Sequence, residues 1–384
     1  MKNLSRLLVA FTLLSLMTGC ALFSKDKDEG PAPTPLVKFK AQAKLDKQWS
    51  AKVGSGIGET YTKLTPAIDG SNIYAADAKG VIAAFDRKTG KRQWRVSLKE
   101  PLSGGVGAGY GLVLVGTSSG HLVALSQEDG SQLWRAAVSS EILSAPKTNA
   151  STVVVQTLDE NIYGFDHITG ERRWQYESSA ATLSLRGTSS PVVTSEVAIV
   201  GMGNGQIVAL NPANGALLWK QRAGVPQGRS EFERMTDVDG DLLLAGDTLY
   251  ATSFQGFVVA LSASTGRPLW RRELSSFHGP DEGLGNLYVS DANDQLHALS
   301  QSDNEQAWIQ KALLNRHITA PITFANYVAV ADGEGYLHVL SQRDGSFVAR
   351  KKIDGDGVST SLLAKGKTLY VYGNSGKLVA LTVE

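Results

Sequence analysis

The residues of this 384-residue chain best suited to chemistry are six histidines, one cysteine and a short acidic run. The histidines are His121, His167, His278, His297, His317 and His338, and none has the HxxxH or HxH spacing that puts two ligands on one face of an element. His121, His297 and His338 fall in or beside repeated apolar runs, where a satisfied or half-exposed strand residue is the expectation. Asp237-Val-Asp239-Gly240-Asp241 resembles the opening of a calcium loop, but the glycine at the sixth position and the closing glutamate are missing. Gly105-x-Gly107-x-Gly109 has dinucleotide spacing, yet it sits between β-type segments and opens no helix whose N-terminus could hold a phosphate. No serine, histidine and acid set stands in a nucleophile-elbow context. No catalytic residue, metal or cofactor is expected, and a binding scaffold is favoured over an enzyme.

The elements that carry these residues are set by the tryptophans. Trp49, Trp94, Trp134, Trp174, Trp219, Trp270 and Trp308 are separated by 45, 40, 40, 45, 51 and 38 residues. Each after the first closes a similar run: residues 80–94 read GVIAAFDRKTGKRQW and 256–270 read GFVVALSASTGRPLW. Diverged copies begin at Glu160 and Asp294, a seventh copy ends at Ala349 where tryptophan is expected, and an eighth stops at the C-terminus. A period near 40 residues built of short strands and turns is the signature of a β-propeller. One unit reads as four strands, at 64–69, 72–77, 81–86 and 91–98. The apolar run at 81–86 suits a strand covered on both faces. In Ala84-Phe85-Asp86-x-x-Thr89-Gly90 the glycine supplies positive φ and the aspartate bonds turn N–H groups. A four-stranded sheet cannot cover both its faces alone, so neighbours must stack on it, with tryptophan as the large apolar contact.

The termini give the blade number. Residues 376–384 match a third strand without an outer strand, and residues 47–53 are an outer strand without a unit before it. Joining them closes an eight-bladed ring and leaves no open edge. The fold class is therefore an all-β, eight-bladed propeller with tryptophan-docking repeats over 45–384, closed by pairing of its N-terminal strand with the C-terminal blade. Ala349, in place of the eighth tryptophan, predicts a blade with weaker docking.

Residues 1–19 form a secretory signal: Lys2 and Arg6, then an apolar core. Met17-Thr18-Gly19-Cys20 resembles a bacterial lipobox, which implies cleavage that leaves Cys20 as a lipid-modified N-terminus. Several acyl chains would anchor the protein firmly, at roughly 0.8 kcal/mol per buried CH2. Ala21, in the position where Asp favours inner-membrane retention, points to the periplasmic face of the outer membrane. Residues 20–44, with Pro31, Pro33 and Pro35, read as a flexible tether. Losing Lys2 and Arg6 leaves 36 basic against 37 acidic residues, a balance that gives no reason to expect nucleic-acid binding. With its one cysteine acylated, the mature chain has no disulfide.

Function in repeat proteins tends to sit where the period fails. The two longest gaps place their extra residues in the outer-to-inner connectors 177–187 and 222–238, joining blades three to four and four to five. Connectors of this class emerge on one face, so the two should form one patch. Leu183, Leu185 and Arg186 in the first, with Asp237 and Asp239 in the second, combine apolar groups, an arginine and charge as a protein-binding surface does. The alternative is that the leucines tuck under the loop.

Two family resemblances follow. The repeat is similar to the tryptophan-docking motif of quinoprotein alcohol dehydrogenases, which are also eight-bladed. Those enzymes are longer and carry a vicinal cysteine pair, which one cysteine cannot supply. The lipobox, the eight repeats, LSLRG at 183–187 and the E-x-x-R-M-x-D-V-D run ending at Asp239 resemble, over essentially the whole chain, the BamB family, the propeller lipoproteins of the outer-membrane β-barrel assembly (BAM) machinery. That resemblance implies a non-enzymatic scaffold whose Leu183, Leu185, Arg186, Asp237 and Asp239 face the periplasmic POTRA domains of BamA, with unfolded barrel clients as further candidate partners. A periplasmic propeller binding peptide or glycan is the remaining alternative.

Overall fold

The computed structural model describes residues 31–58, 62–178, 187–224, 229–230 and 235–384. The signal segment 1–19 and Cys20 lie outside the described residues.

Eight antiparallel sheets follow one another along the chain. Blade one is Ala67–Asp69, Asn72–Ala76, Val81–Asp86 and Arg92–Ser97, from the innermost strand outward. Its third strand is buried from Val81 to Phe85, as a strand between two neighbouring sheets must be, while its outer strand buries only Trp94 fully. Blade eight pairs Leu45–Lys52 with Lys377–Val383, with Trp49 opposite Ala380, so the ring closes through the two ends of the chain.

Every outer strand carries an irregularity beside the tryptophan position. In blade one the register shifts between Ala84, paired with Trp94, and Phe85, paired with Arg92, and the same shift recurs in each of the other seven blades. A bulge adds one residue and re-aims its neighbour. In blades two, four and five the extra residue is exposed, as Leu133, Leu218 and Leu269, whereas in blade seven it is the buried Val348. The tryptophan turns toward the next blade. Each indole N–H donates to a backbone carbonyl there, from Trp49 to Arg87 through Trp308 to Gln342, at 2.9–3.0 Å in all seven cases. The ring lies on the turn glycine. A Cβ on Gly90 would stand 2.6 Å from Trp49, and one on Gly345 2.6 Å from Trp308, and both glycines have φ near +70°. Positive φ and close approach together require glycine. Asp86 accepts the N–H of Lys88 and of Thr89, which fixes the turn that the ring covers.

Leu64 departs from expectation. Lys63–Leu64 belongs to blade two, where it pairs in parallel with the inner strand Leu102–Gly109, while the innermost strand of blade one starts at Ala67. Pro66 separates the two segments because it has no N–H to continue a ladder. The carbonyl of Thr65 instead receives the N–H of Val106 at 2.7 Å.

Ala349 is fully buried in the outer strand of blade seven, Phe347–Lys352. An N-terminal strap occupies that edge. Gln42 N–H donates to Val348 O at 2.9 Å, and Lys44 and Glu384 exchange two backbone bonds. Phe39 stacks on Phe347 with centroids 5.3 Å apart, and the Arg350 guanidinium lies over both rings. Arg350 also reaches Val37 O, while buried Arg316 donates to Thr34 O and to Asp332. Contacts with the propeller therefore begin at Thr34, ahead of the first strand at Leu45.

Candidate functional site

The connectors 177–187 and 222–238 leave blades three and four on the same side of their sheets. Leu183, Leu185 and Arg186 lie outside the described residues, as do 225–228 and 231–234. Both connectors are described where they descend into the next blade, at 187–190 and 235–241, and there the structure brings them together. Gly187 rests on the carboxylate of Asp239, where a Cβ would stand 2.8 Å from Oδ2. Ser190 N–H donates to Asp241 Oδ1 at 2.9 Å.

Lys63 joins them from a third direction. Its ammonium donates to the carbonyl of Thr188 at 2.9 Å and to that of Asp239 at 2.5 Å. One cation from the blade-two sheet thus bridges the lead-ins to blades four and five.

Asp237 and Asp239 are both buried. Asp237 takes the N–H of Phe254 on its peptide carbonyl at 2.9 Å, and Val238 N–H donates to Met202 O at 3.1 Å. The segment is stitched to blades four and five by its backbone. Burial pushes the Asp239 carboxyl above the usual carboxylate range, and the charge of Lys63 opposes that shift.

Two residues to which the sequence assigned no site role complete the cluster. Glu160 occupies a turn position held by glycine in most other repeats, with φ +66°, and is buried. A non-glycine residue there carries strain, and such positions often mark a specific task. Its Oε2 accepts Gly203 N–H at 3.0 Å, tying the blade-three turn to the blade-four turn. Burial pushes its carboxyl up to about 7; the Gly203 bond opposes this and the Asp239 charge adds to it. His278, which leads into blade six, is pushed down to about 4 by desolvation, with Lys63 adding to the effect. Gly240 packs directly on its backbone. Among the described residues no three His, Cys, Asp or Glu side chains are placed to hold a metal. The arrangement positions the backbone at the base of the two connectors.

The other sequence candidates lie elsewhere. His338 is buried and bonded to Asp332 at 2.8 Å and to Arg350 at 3.0 Å, and His297 to Asp291 at 3.0 Å. Gly107 lies in the inner strand of blade two, where a Cβ would stand 2.0 Å from the carbonyl of Pro146, so its role is close strand packing.

A family profile described as outer membrane protein assembly factor BamB matches residues 78–310. The chain is 55% identical over 367 residues to the outer membrane protein assembly factor BamB of Pseudomonas aeruginosa strain PAO1, covering 96% of each chain. It is 35% identical over 386 residues to that of Escherichia coli K12, covering 98% of each. Among solved structures, BamB from Moraxella catarrhalis superposes with a TM-score of 0.81 at 26% identity, over 88% of this chain and 99% of that one. A quinohemoprotein alcohol dehydrogenase from Comamonas testosteroni superposes at 0.72 with 16% identity, over 88% of this chain and 76% of that one, which is a likeness of fold alone.

Proposed function

Because this chain belongs to the family of outer membrane protein assembly factor BamB, we propose that it is a non-enzymatic scaffold of the outer-membrane protein assembly machinery that binds the periplasmic POTRA domains of BamA. The observation that carries this reading is the convergence of the two long connectors, held at Gly187–Asp239 and Ser190–Asp241 and bridged by Lys63. Loops mounted on a rigid, repeated frame present a surface at low ordering cost, which favours binding.

In this reading Leu183, Leu185 and Arg186 make the contact, and Asp237 and Asp239, both buried, set the shape of the second loop. The lipobox supports acylation at Cys20 and a place on the periplasmic face of the outer membrane. The test is capture from detergent-solubilised outer membrane with the acylated chain as bait. Recovery of BamA by a direct contact, repeated with purified POTRA domains, is the expected result. Failure of purified POTRA domains to bind would overturn the partner assignment.

A further inference from the structure

The grooves between neighbouring blades are repeats too, so each can be compared with its seven counterparts. Four positions line the rim of every groove: the start of the third strand, the residue two before the tryptophan position, and the residues two and three after it in the preceding blade. Between blades seven and eight these are Lys377, Lys47, Lys351 and Lys352. No other junction has more than two basic residues there, the two being Lys52 and Arg92 between blades eight and one. Between blades four and five, where a groove of the same kind is also open, the four are Phe257, Pro268, Gln221 and Arg222.

The lysine groove has a volume of about 200 Å3 and a floor of Ile353, Val379 and Leu381. At the ~30 Å3 a water occupies, that is room for a few waters or one phosphate group. Three of the ammonium groups are already oriented by one backbone carbonyl each: Lys351 by Leu45 at 2.6 Å, Lys377 by Ile353 at 2.7 Å and Lys352 by Glu334. Each keeps further N–H donors for a ligand. Among the described residues no carboxylate is within ion-pair distance of the four; Asp46 pairs with Lys44 at 2.5 Å and acts on Lys351 only at longer range. Four like charges held together without a counter-ion repel one another, and an anion in the groove relieves this.

We propose that this groove is a docking site for the phosphate of a membrane lipid headgroup, which would seat the junction of blades seven and eight on an anionic bilayer surface. The choice of a lipid rests on the membrane placement proposed above. The strap along blade seven begins at Thr34, fourteen residues after Cys20. At up to ~3.5 Å per extended residue, an acyl anchor there keeps Thr34, where the strap starts toward this junction, within roughly 50 Å of the bilayer.

The test uses the mature chain carrying Cys20→Ser, so that no acyl chain contributes and failure of the anchor leaves the result untouched. It should co-sediment with phosphatidylcholine vesicles containing phosphatidylglycerol and not with phosphatidylcholine alone. A lysine beside an anionic surface contributes roughly fivefold in binding, so Lys47→Gln with Lys377→Gln should weaken binding roughly 25-fold. The same charge change made at the adjacent junction, Lys52→Gln with Arg92→Gln, should have little effect. Equal losses in both pairs would show attraction by overall charge and overturn the site. Unchanged vesicle binding by the Lys47/Lys377 pair would also overturn it, and loss of POTRA binding by that pair would reassign the groove to an acidic protein segment. Both pairs are compared at matched melting temperature; if Lys377→Gln lowers it, Lys47→Gln alone should still give the fivefold loss.

Discussion

The ammonium of Lys63 lies 2.5 Å from the carbonyl of Asp239, a residue 176 positions away in the chain and on the far side of three blade boundaries. The same ammonium holds Thr188 O. Replacing Lys63 by Met removes both donors and leaves two carbonyls unsatisfied, each costing roughly 1–3 kcal/mol where water cannot reach. It also removes the charge that opposes the upward shift of Asp239. Lys63→Met should lower the melting temperature, speed hydrogen exchange at 188–190 and 237–241, and weaken BamA capture without touching an exposed residue of either connector. Wild-type exchange at those segments would show that the bridge does not hold them.

The blade repeat was legible because every blade carries the same marks. An apolar third strand, a turn glycine and a tryptophan recur in each 15-residue window, although the ring that covers each turn glycine comes from the preceding blade. Leu64 was misplaced because parallel pairing of two residues with a neighbouring blade leaves no local pattern; only Pro66 marked the break. Ala349 was visible as an exception, but its meaning depends on a strap that reads as a tether by composition. The axial cluster was the least legible part. Lys63, Glu160 and His278 converge from three blades, and the only trace in the sequence is Glu160 in a glycine position. Asp237 and Asp239 stood out in sequence for their charge, and the structure buries both.

Arg186 and Leu185 should separate contact from support. If Arg186 reaches the POTRA domains, Arg186→Glu should weaken binding by roughly 2–4 kcal/mol, because an arginine's planar fork pairs and stacks at once. Leu185→Asp should act alike by placing charge in an apolar contact. Both positions fall in a connector by the repeat spacing, so the thermal melt should not change. Titration of purified POTRA domains beside a melt distinguishes the outcomes; full binding by both variants would remove the connectors as the partner surface.

Glu160 gives a pH dependence with a definite sign. Its carboxyl is near 7 in the folded protein against an ordinary 4.5. Between those values the folded state holds more protons than the unfolded chain, so this group's contribution falls as pH rises from about 4.5 to about 7, and the penalty is complete above that. Glu160→Gln keeps an acceptor for Gly203 N–H and removes the charge. The variant should therefore match wild type near pH 4.5 and exceed it by up to about 3 kcal/mol at pH 8. His278, held down at about 4, works in the opposite direction as pH falls below its ordinary 6.5, so the variant-minus-wild-type difference is the quantity to read. Chemical denaturation across pH 4.5–8 measures it, and a difference independent of pH would show that Glu160 is charged in the fold without cost.

Closure of the ring should show as two separate steps in a deletion series. Removing residues 20–33 stops short of the strap bonds made by Thr34 and should leave the melt unchanged. Extending the deletion to Lys44 removes the Phe39–Phe347 stack, the acceptors of Arg316 and Arg350, and the backbone exchange with Glu384. Arg316 and Arg350 then lose their carbonyl partners, and stability should fall by about 2–4 kcal/mol, since a hydrogen bond to a charged group contributes roughly 1.5–3 kcal/mol. Carrying the deletion through Val53 also removes the strand that pairs with Lys377–Val383 and strips Trp49 from Gly90. Loss of a large buried aromatic alone costs roughly 3–5 kcal/mol, and an exposed strand edge is left behind as a site for aggregation. Trp49→Ala in the intact chain isolates the aromatic share, and should fall between the second and third deletions. If the deletion through Val53 melts with the intact protein, the two ends of the chain do not close the ring.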